Sequence, residues 1–259
     1  MDFLATIVGL KMADNLRLDR AGVKEEFEAA IARRPAPLSL KAALDGGLGT
    51  AIIAEVKLAS PSKGDLGLDW DPVELAEIYQ DNGAAAISVL TEVAFFKGDP
   101  DFIRRMRPVI RLPILRKDFI LEEIQILESA ALGADALLLI VNLLRPEELR
   151  ALLSLTHSLG LEALVEVHTG IEMGLALEAG ARVIGINSRN LHTFEMFPDR
   201  ALELAPLAPP GVTLVAASGI KSRADVERYE AAGIRGFLIG ETLVTQADPG
   251  KKLREFLEK

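Results

Sequence analysis

The chain has 259 residues, which suits one large α/β barrel or two ordinary domains, and its 49% hydrophobic content allows a sizeable core. The net charge of -9 argues against a nucleic-acid or anionic-membrane partner, although local lysines and backbone N–H groups can still hold a small anion. The sequence contains no cysteine, which excludes disulfides, thiolate metal sites and a cysteine nucleophile.

Other sequence signals narrow the class of protein further. The spacing of His157, His168 and His192 follows no metal-ligand pattern, so no metal is expected. The N-terminus lacks the basic and apolar regions of a signal peptide, and the longest apolar run, Ala136 to Val141, is too short to span a bilayer. We therefore expect a soluble cytoplasmic protein, either a monomer or a weak homodimer.

The first 45 residues are predicted to form a helical extension. Four apolar residues of the first helix follow helical spacing: Leu4, Ile7, Val8 and Met12. Asp19 can cap a second helix that runs to about Arg34 and ends before Pro35. Leu40 to Leu44 is predicted to add one further helical turn. Because no linker or composition shift follows, residues 1–259 are expected to form a single domain.

Strands and helices alternate from residue 51 onward. Short apolar segments predict eight strands: Ala51–Lys57, Ala85–Leu90, Pro113–Lys117, Ala136–Val141, Ala163–His168, Val183–Asn187, Thr213–Ala217 and Gly236–Gly240. The predicted helices between and after them are Pro72–Asn82, Pro100–Arg107, Leu121–Leu132, Pro146–Leu159, Gly170–Glu178, Pro198–Leu207, Ser222–Ala232 and a last one from Asp248-Pro249 to about Leu257.

This alternation predicts an α/β fold, a (β/α)8 TIM barrel with an N-terminal helical extension. An open doubly wound sheet is the alternative. It is weakened because no Gly-x-Gly-x-x-Gly motif follows any predicted strand.

The end of the first strand carries two charges. Glu55 and Lys57 lie two residues apart, so in a strand they point to the same side. Charges are rarely placed on a buried strand unless they are paired or used. The chain then enters a polar turn that contains Ser60 and Gly64. Such a strand end is typical of an α/β active site, with a structural ion pair at the barrel rim as the alternative.

Further polar residues fall at the ends of three other predicted strands. Lys117 ends the third strand, Glu166 lies in the fifth, and Asn187 ends the sixth, followed by Arg189. Lysines and carboxylates around one mouth shift each other's pKa values, which favours general acid–base catalysis. Any one of these residues could belong to an ion pair at the barrel rim instead. That interpretation is poor for the whole set, because all of them fall at the same position relative to their strands.

The seventh and eighth strands end in a second pattern. Ser218-Gly219 follows the seventh strand and Gly240-Glu241 follows the eighth. Barrel enzymes often bind a phosphate between these two loops through backbone N–H groups and a short helix N-terminus. Ser60 could reach the same region, because the first and eighth strands become neighbours when a barrel closes. Two ordinary glycine turns are the alternative.

These residues together resemble one family, indole-3-glycerol phosphate synthase, a barrel of tryptophan biosynthesis. The likeness runs from about Leu40 to the C-terminus and is carried by these segments: Ile53-Ala54-Glu55-Val56-Lys57, Ala59-Ser60-Pro61-Ser62-Lys63-Gly64, Ser88-Val89-Leu90-Thr91-Glu92, Phe96-Lys97-Gly98, Leu115-Arg116-Lys117-Asp118-Phe119, Leu164-Val165-Glu166-Val167-His168, Ile184-Gly185-Ile186-Asn187-Ser188-Arg189-Asn190-Leu191 and Ser218-Gly219-Ile220. Phosphoribosylanthranilate isomerase, a related barrel, shares the phosphate loops but not the Glu-x-Lys and Lys-Asp-Phe pair.

The resemblance implies a carboxy-lyase that uses no cofactor or metal. It would convert 1-(2-carboxyphenylamino)-1-deoxyribulose 5-phosphate to indole-3-glycerol phosphate, CO₂ and water. Lys117 would be the general acid, and Lys57 would bind the substrate carboxylate and assist the dehydration. Glu55 and Glu166 would be the proton acceptors, Asn187 would hydrogen-bond the substrate, and Arg189 would contribute to substrate binding. The substrate phosphate would be bound by Ser60, Ser218, Gly219, Gly240 and the backbone of Glu241. Phe96 and Phe119 would contact the anthranilate ring. For either phenylalanine alone, plain core packing is an equal alternative.

One departure from the family concerns the catalytic charges. The family usually has Glu before the Ser-Gly pair, where this chain has Ala217. Three functions stay open: the synthase, with ordinary or altered activity; a diverged or engineered barrel for another acid–base or Schiff-base reaction; and a non-catalytic phosphosugar-binding barrel. The charges at the strand ends argue against the third. We hypothesise that Ala217→Glu raises the turnover of ring closure.

Overall fold

The computed structural model describes residues 3–18, 22–47, 49–61, 64–66 and 70–258. Three helices precede the first strand: α1 (Phe3–Leu18), α2 (Val23–Ile31) and α3 (Leu40–Asp45). The predicted helical extension is therefore present, whereas the predicted cap Asp19 lies outside the described residues. The buried face of α1 differs from the prediction: Met12 is exposed, and the polar residues Lys11 and Asn15 are buried.

Eight parallel strands of the described chain close into a barrel in sequence order, and the first strand pairs with the last. The strands are β1 (Ala51–Val56), β2 (Ala86–Leu90), β3 (Ile114–Lys117), β4 (Ala136–Ile140), β5 (Glu162–Val167), β6 (Val183–Asn187), β7 (Thr213–Ala217) and β8 (Gly236–Ile239). The prediction of a (β/α)8 barrel is thereby confirmed.

Helices surround this barrel. They are α4 (Pro72–Asp81), α5 (Val93–Phe96), α6 (Asp101–Met106), α7 (Glu123–Leu132), α8 (Pro146–Ser158), α9 (Gly170–Glu178), α10 (Arg200–Leu204), α11 (Arg223–Glu230), α12 (Glu241–Val244) and α13 (Pro249–Leu257). None of the helices in the described ranges combines the length and the apolar content that crossing a membrane requires.

Alternate residues of each strand enter two different cores. On β1, Ile53 packs in the inner cluster that fills the barrel, whereas Ile52 and Ala54 join the larger cluster between strands and helices. Because side chains alternate along a strand, Glu55 lies on the same face as Ile53. The same rule places Lys117 with the inward residue Leu115, and Glu166 with the inward residue Leu164. The strand alternation thus directs the catalytic candidates into the barrel mouth.

Most predicted boundaries agree with the structure within two residues. The predicted helix Pro198–Leu207 divides into α10 and a 3-10 turn at Ala205–Leu207, where Pro206 has no N–H to donate to the ladder. The sequence analysis missed a small hairpin in which Ala59–Ser60 pairs with Gly64–Asp65. It also missed α5, which is short and forms because the Glu92 carboxylate caps three backbone N–H groups.

Candidate active site

Glu55 lies between the two lysines of the barrel mouth. Lys57 Nζ is 3.3 Å from Glu55 Oε1, and Lys117 Nζ is 3.8 Å from Glu55 Oε2. The carboxylate is buried, whereas 17% and 20% of the two lysine side chains remain exposed. One buried carboxylate thus holds two ammonium groups together while both keep access to a ligand. We call Glu55, Lys57 and Lys117 the cleft charges.

A glycine on the neighbouring strand makes room for Glu55. A Cβ atom added to Gly240 would lie 2.4 Å from Glu55 Oε1 and 3.0 Å from its Cβ. Contacts this short do not occur in real structures, and Glu55 is too buried to move aside freely. Gly240 therefore serves the position of Glu55 as well as the turn after β8.

A second carboxylate, that of Glu166 on β5, is held in its orientation by Asn187 on β6. Asn187 Nδ2 donates a hydrogen bond of 3.0 Å to Glu166 Oε1. The Oδ1 atom of the same Asn187 accepts from the backbone N–H of Arg189 at 3.0 Å. Both Asn187 and Glu166 are buried, so these bonds fix their orientation strongly.

A cleft joins the cleft charges to the loops after β7 and β8. Its lining comprises Glu55, Lys57, Leu90, Phe96, Lys117, Asn187, Arg189, Ala217, Ser218, Gly219, Ile220, Lys221, Leu238, Ile239, Gly240, Glu241 and Thr242. The backbone is left-handed at Ser218 and Gly219, with φ of 69° and 79°. Thr242 Oγ1 donates to the Ile220 carbonyl at 2.8 Å and ties the two loops together. This half of the cleft is a compact turn of backbone suited to a small anion.

Two phenylalanines adjoin the cleft. Phe96 lines it, and Lys57 Nζ lies 5.7 Å from the centre of its ring. The ring of Phe119 is tilted against that of Phe96, with 6.3 Å between centroids. Phe119 is buried in the inner cluster, so it supports Phe96 from behind.

The structure brings most of the predicted site residues together around the cleft, whereas three of them lie outside its lining. Among the described residues, the lining of the cleft does not include Ser60, Phe119 or Glu166. Glu166 is linked to the cleft through Asn187, and Ser60 is buried in the hairpin after β1. Sequence reasoning missed Lys221 and Thr242; their place directly after the predicted phosphate loops was the signal that could have found them.

A set of buried charges lies behind β3, on its outward face. Arg116 is buried and contacts Glu128 at 2.7 Å, Asp118 at 3.1 Å and the hydroxyl of Thr91 at 3.1 Å. Lys11 of α1 reaches Asp118 at 2.7 Å. We call Lys11, Arg116, Asp118 and Glu128 the outer network. It fastens α1 to the segment that carries Lys117.

The outer network has a clear electrostatic consequence for Asp118. Burial alone would raise the pKa of this carboxyl, but Arg116 and Lys11 outweigh burial and hold the pKa below its usual range. Asp118 Oδ1 also accepts the backbone N–H of Phe119 at 2.8 Å. An ionised Asp118 thus links the backbone just after Lys117 to the side chains of Arg116 and Lys11.

Solved structures share the fold at low sequence identity. A thiamine phosphate pyrophosphorylase from Pyrococcus furiosus superposes with a TM-score of 0.59 over 80% of this chain and 93% of that one, at 15% identity. This likeness supports the barrel architecture and carries no statement about the reaction.

Sequence comparisons are far more specific. The indole-3-glycerol phosphate synthase from Carboxydothermus hydrogenoformans is 52% identical over 227 residues, which cover 85% of each chain. The enzyme of the same name from Desulfosudis oleivorans is 45% identical over 260 residues, covering 99% of this chain and 98% of the relative. A sequence profile described as indole-3-glycerol phosphate synthase matches residues 7–256. The chain therefore belongs to the indole-3-glycerol phosphate synthase family.

Proposed function

We propose that this chain closes the indole ring of 1-(2-carboxyphenylamino)-1-deoxyribulose 5-phosphate and releases CO₂ and water, as a carboxy-lyase of tryptophan biosynthesis. The observation that carries the proposal is the joint position of Lys57 and Lys117 on the buried Glu55, at one end of the cleft that reaches the Ser218-Gly219 loop. The cleft thus offers acid–base groups at one end and an anion-binding turn at the other.

Lys117 is the general acid of the proposed mechanism. Its ammonium group protonates the substrate carbonyl oxygen while the aryl carbon attacks, and later steps expel that oxygen as water. Lys57 binds the substrate carboxylate and assists the dehydration. A cation beside a developing alkoxide stabilises it most where water is excluded, and the buried Glu55 keeps both lysines there.

Glu55 and Glu166 are the proton acceptors of the proposed mechanism. Ring closure disturbs the aromaticity of the anthranilate ring at the carbon that carries the carboxylate, and loss of CO₂ from that carbon restores it. In the dehydration that follows, the hydroxyl group on the former carbonyl carbon leaves as water, and the neighbouring CH₂ group gives up a proton. A carboxylate oriented by hydrogen bonds is suited to take it, and Glu166 is oriented by Asn187. Asn187 also hydrogen-bonds the substrate hydroxyls in this proposal, and Arg189 contributes to substrate binding.

The phosphate end supplies binding energy rather than chemistry. Backbone N–H groups and hydroxyls there hold the substrate phosphate, from Ser60, Ser218, Gly219, Gly240 and Glu241. Contacts to a remote part of the substrate can be used to bend it into a reactive shape. Phe96, with Phe119 behind it, flanks the anthranilate ring and excludes water.

The organisation of the working enzyme is part of the proposal. Residues 1–259 act as one barrel domain, with residues 1–45 as the helical extension, in the cytoplasm and as a monomer or weak homodimer. Light scattering across a concentration series tests the last point. A mass that stays at twice the monomer value at high dilution would contradict it.

The reaction itself is tested by mixing the purified protein with 1-(2-carboxyphenylamino)-1-deoxyribulose 5-phosphate and following indole fluorescence and CO₂. We expect both products in equal amounts without added metal or cofactor. The dephosphorylated analogue is the matched control and should react far more slowly, because it lacks the remote anchor. A protein that forms no indole product, although its circular dichroism shows it folded, would overturn the proposal.

A further inference from the structure

His168 stands directly after β5 and takes no part in the mechanism above. Its ring is buried, and neither ring nitrogen makes a well-aligned hydrogen bond to the described part of the chain. The ring nevertheless lies between two carboxylates. Nε2 is 3.6 Å from Glu166 Oε1, and Nδ1 is 3.5 Å from Glu172 Oε2. Buried polar atoms are seldom left in this way without a functional reason.

Glu172 of α9 fixes one side of the ring. Its Oε2 accepts the backbone N–H of His168 at 2.6 Å. Burial would raise the pKa of Glu172, but the contacts with His168 and Thr169 outweigh burial and lower it. The carboxylate beside Nδ1 sets the orientation of the imidazole. Nε2 is thereby aimed at Glu166.

Two neighbours meet the Glu166 carboxylate at the same oxygen. In the described ranges, its contacts with Asn187 and His168 both involve Oε1. Two neighbours on one oxygen restrict rotation of the carboxylate, and a base that is held in place reacts faster than one that samples several orientations.

We propose that His168 is a positioning residue for the proton acceptor Glu166: Glu172 orients the imidazole from the side of Nδ1, and Nε2 lies against Glu166 Oε1 and limits rotation of that carboxylate. The inference rests on the role given above to Glu166. It adds a residue that acts through the base and touches no substrate, and it makes Glu172 of the outer helix part of the catalytic support.

Two substitutions of His168 test the contacts of the two ring nitrogens separately. In His168→Gln the amide nitrogen comes close to the position of Nε2, so the contact with Glu166 is kept. In His168→Asn the amide nitrogen comes close to that of Nδ1, so only the contact with Glu172 is kept. We expect H168N to lower kcat about tenfold, because the contact that limits rotation of the Glu166 carboxylate is lost, and H168Q to stay near the parent. KM should change little in both variants, because the contact acts on the base and not on binding.

A third variant tests the relay from α9. Glu172→Gln should lower kcat in the parent and have no further effect in H168Q, where no imidazole remains to be oriented. Thermal unfolding midpoints of all variants provide the control for folding.

Three outcomes would overturn the inference: equal losses of kcat in H168N and H168Q, a rise of KM at unchanged kcat, or additive effects of E172Q and H168Q. Each would mean that His168 does not act by positioning Glu166 under the control of Glu172. A parent protein that forms no indole product would instead refute the proposed function, so the two failures are distinguishable.

Discussion

The outer network and the cleft charges occupy opposite faces of the same short strand. Arg116 points outward and meets Glu128, Asp118 and Thr91 at 2.7–3.1 Å. Lys117, the next residue, points inward and approaches Glu55 only to 3.8 Å. Arg116 and Asp118 are buried and have close oppositely charged partners, which fixes structure. The inner lysines keep longer contacts and some exposure, which leaves them able to bind and protonate a ligand.

The largest expected effect comes from removing the charge on the inner face. Lys117→Met should lower kcat at least about a hundredfold, because the general acid is lost. The thermal unfolding midpoint of K117M should stay near that of the parent, because the Lys117 ammonium group approaches Glu55 only to 3.8 Å and remains partly exposed. Steady-state kinetics and thermal unfolding measure the two quantities. Lys252→Met, on the outer helix α13, is the control and should keep its activity; a large loss of stability in K117M would contradict the contrast.

The opposite change removes the charge on the outer face. Arg116→Met leaves Asp118 and Glu128 buried without their main partner, and we expect a loss of about 3–5 kcal/mol in the free energy of unfolding. Urea titration measures it. The control is Arg145→Met, whose guanidinium is exposed and whose loss should matter little. The comparison fails if R116M is as stable as the parent.

A smaller effect is expected from the α1 end of the outer network. Lys11→Met should cost about 1–3 kcal/mol in the free energy of unfolding at neutral pH, because Asp118 keeps Arg116 but loses one cation. The lowered pKa of Asp118 stabilises the fold above the unfolded value of about 4, and this stabilisation is lost as pH falls through the folded pKa. The difference between K11M and the parent should therefore shrink in acid. A pH series of urea titrations in which the difference grows below pH 4 would contradict this assignment.

The smallest expected effect concerns the missing carboxylate. Ala217 lies inside the barrel, opposite Asn187 in the strand register, and lines the cleft together with Lys57, Lys117 and Arg189. Ala217→Glu should raise kcat by a few fold, because a carboxylate there adds a counter-charge for Lys57, Lys117 and Arg189. Turnover of the variant, compared with that of the uncharged control Ala217→Gln, measures the effect. Unchanged or lower turnover in A217E would show that the hypothesis is wrong.

The sequence allowed the barrel to be predicted because its signals are local. Apolar runs, first-turn prolines and glycines after helices fix each element by short-range chemistry, and most boundaries agree within two residues. Short elements such as α5, α12 and the hairpin after β1 were missed. Each depends on a specific tertiary partner or cap, such as Glu92 for α5, rather than on a periodic pattern.

The sequence by itself determined which residues stand at the strand ends, because the two-residue period of a strand and the parallel order of the barrel leave little choice. Only the tertiary structure decided which side chains meet. It placed Glu55 against two lysines and Gly240, moved Arg116 and Lys11 into the outer network, and set His168 between Glu166 and Glu172. Such contacts join residues far apart in the chain, and their distances follow from how the barrel closes, which no local pattern encodes.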